Sequence, residues 1–194
     1  MEDLIQRLDQ WLQQNRPVYY GYLQPGLTDE QLRNFEETLG IKLPLDFQLF
    51  YKWRNGRPLS LLSSGFSSLV PGFTWLSAEG VVSNLSHWEG AEEVAVNWWH
   101  PRWIPFLTDD TSIFICLDMQ GSFEGKVGQV DGDEPQRNIM HENFAKWLET
   151  IVVALERRLF TGDEGSGRFI WLNNYIQLLY EINPDYPIEN EVEF

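Results

Sequence analysis

Apolar positions recur along this chain with two periods, and the periods divide it into helical and extended stretches. Over residues 2–15, Leu4, Ile5, Leu8, Trp11 and Leu12 fall at i, i+1, i+4, i+7 and i+8, one face of an amphipathic helix. Pro17 follows and stops it. Residues 18–26, with Tyr19, Tyr20 and Tyr22, read as a loop or short strand. A second helix has a clear start. Thr28-Asp29-Glu30-Gln31 fits the capping box, in which Thr28 caps and Gln31 reaches back. Leu32, Phe35 and Leu39 form its buried stripe, and Gly40 stands where a left-handed residue would end it. A third helix starts at Pro44, places Phe47 and Phe50 on one face, and ends at Asn55-Gly56.

The middle of the chain changes period. Residues 57–74, rich in Ser, Gly and Pro, read as a surface loop with a strand near Leu69-Val70. A short helix follows Ser77 with Val81, Val82, Leu85 and Trp88 inward, although Gly80 weakens it by about 1 kcal/mol relative to Ala. Trp103 to Leu107 reads as extended, and Pro105 restricts it to an edge or a bulge. Ser112 to Met119 is rich in Ile and Phe and bounded by turn residues, as a strand is. Lys126 to Val130 is another, ending at Asp131-Gly132-Asp133. The short connection from Gln120 to Gly125 predicts an antiparallel pair. Helical period returns from Glu142 to Arg158, where Phe144, Trp147, Leu148, Ile151, Val152, Leu155 and Leu159 recur. A break at 161–167 and a last helix over 168–182 complete the pattern, with a frayed acidic tail after Pro184.

Composition narrows the class. At 194 residues the chain fits one domain with additions, or at most two small ones. It is 43% hydrophobic and 14% aromatic, which is globular rather than disordered. Nine tryptophans are unusual; the plainer reading is an aromatic-rich core with several part-exposed rings, and the sharper one is that some line a recognition surface. The net charge of −15 repels nucleic acid and anionic membranes and favours a basic protein partner. The N-terminus lacks the basic and apolar regions of a signal peptide, and no apolar run approaches the ~18–20 residues that span a bilayer. A cytoplasmic protein is expected.

Candidate chemistry is sparse. His87, His100 and His141 show no metal-ligand spacing and are expected at the surface or locally bonded. Cys116, the single cysteine, sits mid-strand as a buried thiol. Asp109 and Asp110 are the best carboxylate pair, but neighbours on a strand point apart, and a solvated turn is the plainer reading. Asp131-Gly132-Asp133-Glu134 begins like a calcium loop and fails at Pro135 and Gln136. No metal, cofactor or catalytic set is expected.

Three blocks, in order, resemble the SUKH superfamily, named partly for the fungal Smi/Knr-type cell-wall regulators. The first is Thr28-Asp29-Glu30, Phe35-Glu36, Leu39 to Pro44, Asp46-Phe47, Phe50-Tyr51 and Asn55-Gly56. The second is Trp103-Ile104-Pro105-Phe106, Asp109 and Cys116-Leu117-Asp118. The third is Gly128-Gln129-Val130, Asn143-Phe144 and Trp147-Leu148. The resemblance covers about residues 27–150 within a single domain of 1–194, leaving the helices at 2–15 and 168–182 as flanks.

This resemblance implies an α+β fold, with a twisted, mainly antiparallel sheet packed against helices. It implies a binding protein rather than an enzyme. Bacterial members of the family are typically immunity proteins against polymorphic toxins, many of them nucleases; fungal members act in cell-wall synthesis signalling. An acidic inhibitor suits a basic nuclease surface. The expectation is therefore an immunity protein that neutralises a cognate toxin, with a regulatory or scaffolding protein as the alternative. Partner contacts are expected at Trp98, Trp99, Trp103, Asp109, Asp110, Asp131 and Asp133. In one respect the chain departs from the family: relatives often carry D-G-x-G-D at the acidic turn, and here Ile113 stands where the second Asp would fall.

Overall fold

The structure, a computed structural model, describes residues 1–58, 68–89, 99–132, 136–163, 168–171, 174–186 and 188–191. Among these the chain is α+β. A seven-stranded sheet runs in the order β1-β2-β3-β4-β5-β6-β9, and every neighbouring pair is antiparallel. Its strands are β1 (Ser68–Val70), β2 (Phe73–Trp75), β3 (Trp103–Thr108), β4 (Ile113–Asp118), β5 (Val127–Asp131), β6 (Gln136–His141) and β9 (Ile188–Glu191). A separate hairpin pairs β7 (Phe160–Asp163) with β8 (Arg168–Trp171). The helices are α1 (Glu2–Asn15), α2 (Pro17–Tyr22), α3 (Asp29–Leu39), α4 (Leu45–Trp53), α5 (Ala78–Glu89), α6 (Phe144–Glu156) and α7 (Tyr175–Ile182).

The local signals read from the sequence produce these elements. Thr28 Oγ1 accepts from the Gln31 N–H at 3.2 Å, and the Gln31 side chain accepts from the Thr28 N–H at 2.9 Å, a closed capping box. Gly40 ends α3 in the left-handed conformation. Pro105 lies at a register shift between β3 and β4, so its missing N–H falls at a bulge and leaves no gap in the ladder. Asn143 caps α6 through the Lys146 N–H at 2.9 Å. Asp46, in the first turn of α4, accepts from the Ala145 N–H at 3.1 Å and so ties α4 to the same helix end.

Four expectations are corrected. Residues 17–22 are helical: Pro17 ends α1 and also supplies the first turn of α2, where its fixed φ and absent N–H suit a helix start. The stretch expected as one helix over 168–182 divides into strand β8 and the shorter α7. Its apolar residues fit either period over so short a run, and pairing with β7 decides for the strand. The break expected at 161–167 begins with β7. The tail after Pro184 contributes β9, which pairs with β6 from Gln136↔Glu191 to Ile139↔Ile188.

One face of the sheet carries the main core. Leu107, Ile115, Leu117 and Val127 meet α4 and α6, and Leu8 and Leu12 of α1 close the far side of those helices. The centre is aromatic. Phe47 stands edge-on to Phe106 at 5.7 Å and Phe144 at 5.0 Å, Phe50 lies 4.2 Å from Trp75, and Phe106 meets Trp147 at 4.8 Å. Each such pair adds about 0.5–1.5 kcal/mol beyond the burial itself. Gly56 shows why Asn55-Gly56 follows α4. Its φ is +56°, and a Cβ there would lie 2.5 Å from the Leu76 carbonyl oxygen. The Asn55 side chain meanwhile accepts from the Ala78 N–H at 2.8 Å, at the start of α5.

Candidate functional site

Strand alternation sends Phe114, Cys116 and Asp118 to the face opposite Ile115 and Leu117. Phe114 and Cys116, with Trp103 and Val130, form a second, smaller apolar cluster, against which the half-buried Trp99 packs. The Trp99 ring meets Trp103 at 6.0 Å and Phe114 at 5.2 Å, both edge-on. The expected tryptophan surface is thus unequal. Trp103 is buried at 1% exposure and acts as a floor, whereas Trp99 reaches solvent. Trp98 lies outside the described residues, as does Asp133.

This face also holds a buried ion pair that inspection of the sequence did not find. Arg137 on β6 donates to Asp118 at 2.7 Å, and both side chains are nearly inaccessible. The guanidinium sits between Trp103, at 4.9 Å, and Phe123, at 4.7 Å. Asp118 also accepts from the Gln120 N–H at 2.8 Å. Burial raises the Asp118 pKa above the usual carboxylate value, and Arg137 and the Gln120 N–H pull it back. Leu117-Asp118 was visible as a block. Its partner Arg137, nineteen residues on, carried no signal, because only the pairing of β4, β5 and β6 brings the two together.

The acidic residues gather at one end of the sheet. Asp109 and Asp110 occupy the turn between β3 and β4, and Asp131 ends β5 opposite Ile113. The Asp109 carboxylate accepts from the Thr111 N–H at 2.9 Å and the Ile113 N–H at 3.0 Å, so it organises its own turn. Asp110, at φ +65°, is exposed, and its carboxylate accepts from the Thr74 hydroxyl at 3.4 Å. Partial desolvation of the carboxyl raises its pKa, the Thr74 hydroxyl lowers it, Asp109 raises it and Arg57 lowers it. The two carboxylates serve different partners, as a solvated turn predicts. Ile113, which follows that turn, pairs in register with Asp131 of the next strand.

Cys116 is buried beneath this face, and burial pushes its thiol well up, so it stays neutral. His141 departs from expectation. It lies at 2% exposure, and its Nδ1 has no hydrogen-bond partner. Burial lowers its pKa to about 3; Asn183 alongside counteracts this without reaching hydrogen-bond geometry at Nδ1. Among the described residues, no group of three or more His, Cys, Asp or Glu side chains could hold a metal ion, and no helix is long and apolar enough to cross a membrane.

A model of the SMI1/KNR4 family (SUKH-1) matches residues 26–150. The chain belongs to the SMI1/KNR4 family (SUKH-1). The matched span runs from just before the α3 capping box to the middle of α6, and takes in β1 to β6 with both faces just described. Two relatives are similar over shorter stretches. KNR4/SMI1 homolog 2 of Debaryomyces hansenii is 31% identical over 94 residues, 45% of this chain and 15% of that protein. The F-box protein SKIP16 of Arabidopsis thaliana is 42% identical over 53 residues, 27% of this chain and 12% of that protein. SMI1/KNR4 proteins are generally non-catalytic.

Proposed function

We propose that this SMI1/KNR4 chain is a non-enzymatic protein-binding module, and specifically an immunity-type protein that binds and blocks a basic toxin domain. The observation that carries the reading is charge: an excess of fifteen negative charges, with Asp109, Asp110 and Asp131 collected at one sheet end. Such a field speeds encounter with a cationic surface and is screened by salt. The part-exposed Trp99 indole, packed on Trp103 and Phe114, offers a rigid apolar contact that charge alone lacks.

The test is co-expression with the product of a neighbouring toxin-like gene. Rescue of growth, with an association rate that falls steeply between 50 and 500 mM NaCl, supports the reading. A neutralised rim (Asp109→Asn, Asp110→Asn, Asp131→Asn) slows association at low salt. No rescue and no binding would sink it.

A second reading is a regulatory or scaffolding protein with no toxin partner. The names of the two relatives favour it, since one is a KNR4/SMI1 homolog of a yeast and the other an F-box protein of a plant. Affinity capture that returns the same housekeeping partner from cells without a toxin locus supports this reading over the first.

A further inference from the structure

Between the helix-bearing face of the sheet and α6 and α7 lies a cavity of about 480 Å³. That volume falls within the range of small-molecule sites, about 300–1,000 Å³. Leu107 and Ile115 form its floor, and Trp147 and Ile151 of α6 form a wall. Ile176 of α7 also lines it while remaining 60% exposed, so it stands at the mouth. Among the described residues no charged side chain lines it; the polar lining comes from Gln129, Tyr175 and His141. His141 is almost wholly buried, and its Nδ1 is without a partner.

An unsatisfied polar atom in an apolar enclosure is destabilising, and a ligand that meets it recovers that cost. A carboxylate or ammonium entering this cavity would lose its hydration with no countercharge to replace it. A hydroxyl both donates and accepts, so it satisfies either tautomer of the imidazole.

We propose that this cavity binds a neutral, largely apolar alcohol, whose chain lies along Ile115, Trp147 and Ile151 and whose hydroxyl hydrogen-bonds to His141. The site is separate from the acidic rim and does not rest on the partner reading.

The experiment uses the full chain with the neutral fluorophore 1-aminoanthracene as probe, and 1-decanol and decanoate as competitors. One dye per chain is expected, displaced by decanol and at least tenfold less well by decanoate. Ile151→Trp fills the cavity and weakens dye binding at least tenfold, with the circular dichroism spectrum unchanged. Should that variant fail to fold, Ile176→Trp at the exposed mouth gives the same reading without entering the core. His141→Leu keeps the dye but weakens decanol three- to tenfold, about the loss of one hydrogen bond. Absence of saturable dye binding overturns the proposal, as does binding indifferent to both tryptophan variants. Equal displacement by decanoate and decanol overturns the assigned chemistry.

Discussion

The buried, neutral His141 should make this protein lose stability as the pH falls below about 6.5. An ordinary histidine takes its proton near pH 6.5, whereas burial holds His141 neutral down to about pH 3. Between those limits the unfolded chain binds one proton more than the folded chain, so the direction is fixed: stability is complete above pH 6.5 and falls as pH falls. The slope is about 1.4 kcal/mol per pH unit. From pH 7.5 to pH 5.0 this single group removes about 2 kcal/mol, a large share of the roughly 5–15 kcal/mol that holds a typical domain folded. The figure at pH 5 is insensitive to where below about pH 4 the folded protein finally takes the proton. Urea denaturation followed by tryptophan fluorescence, at pH 7.5, 6.0 and 5.0, measures it. His141→Gln keeps a neutral polar side chain and removes the titration, so its loss between pH 7.5 and 5.0 should be about 2 kcal/mol smaller than that of the parent. Burial also lowers the pKa of His100, and burial raises those of Asp110 and Asp118; these are shared by both proteins and cancel in the difference. Equal losses in parent and variant would refute the reasoning.

Three further outcomes follow from the same structure. Asp118→Ala strands the Arg137 guanidinium among Trp103 and Phe123 and should cost about 3–5 kcal/mol in urea titration, whereas Asp118→Leu with Arg137→Met should recover most of it. Gly56→Ala forces a Cβ against the Leu76 carbonyl at positive φ and should cost more than the ~1 kcal/mol of the backbone conformation alone, read as a fall in Tm. Asp109→Ala removes the acceptor of two backbone N–H groups and should cost about 1–2 kcal/mol, while Asp110→Asn, at an exposed carboxylate, should change stability by less than about 0.5 kcal/mol. Thermal melts of that last pair separate the carboxylate that holds the turn's backbone from the more exposed one.

The residues of the acidic turn show how far a linear reading reaches. That Asp109 and Asp110 form a turn was legible from residue type, because Asx side chains bond their own backbone within a few residues. Asp131 is named with them from the sequence, but its place opposite Ile113 depends on the register of β4 and β5, which residue type does not give. Trp103 and Trp99 look alike in the sequence; strand alternation and the cluster with Phe114 and Val130 bury one and leave the other half-exposed.

By itself the sequence determined the elements whose causes are local. The capping box at Thr28, the stop at Gly40, the Pro105 bulge, the α6 stripe and the membership carried by residues 26–150 all rest on neighbours within a few positions or on ordered motifs. The tertiary structure alone decided what depends on distant partners. It placed β9 on β6, divided 168–182 into strand and helix, paired Asp118 with Arg137, and buried His141 beside a cavity. The physical reason is the same in each case. A cap or a turn is stabilised by atoms the chain has already brought together, whereas burial and cross-strand pairing exist only once remote segments meet.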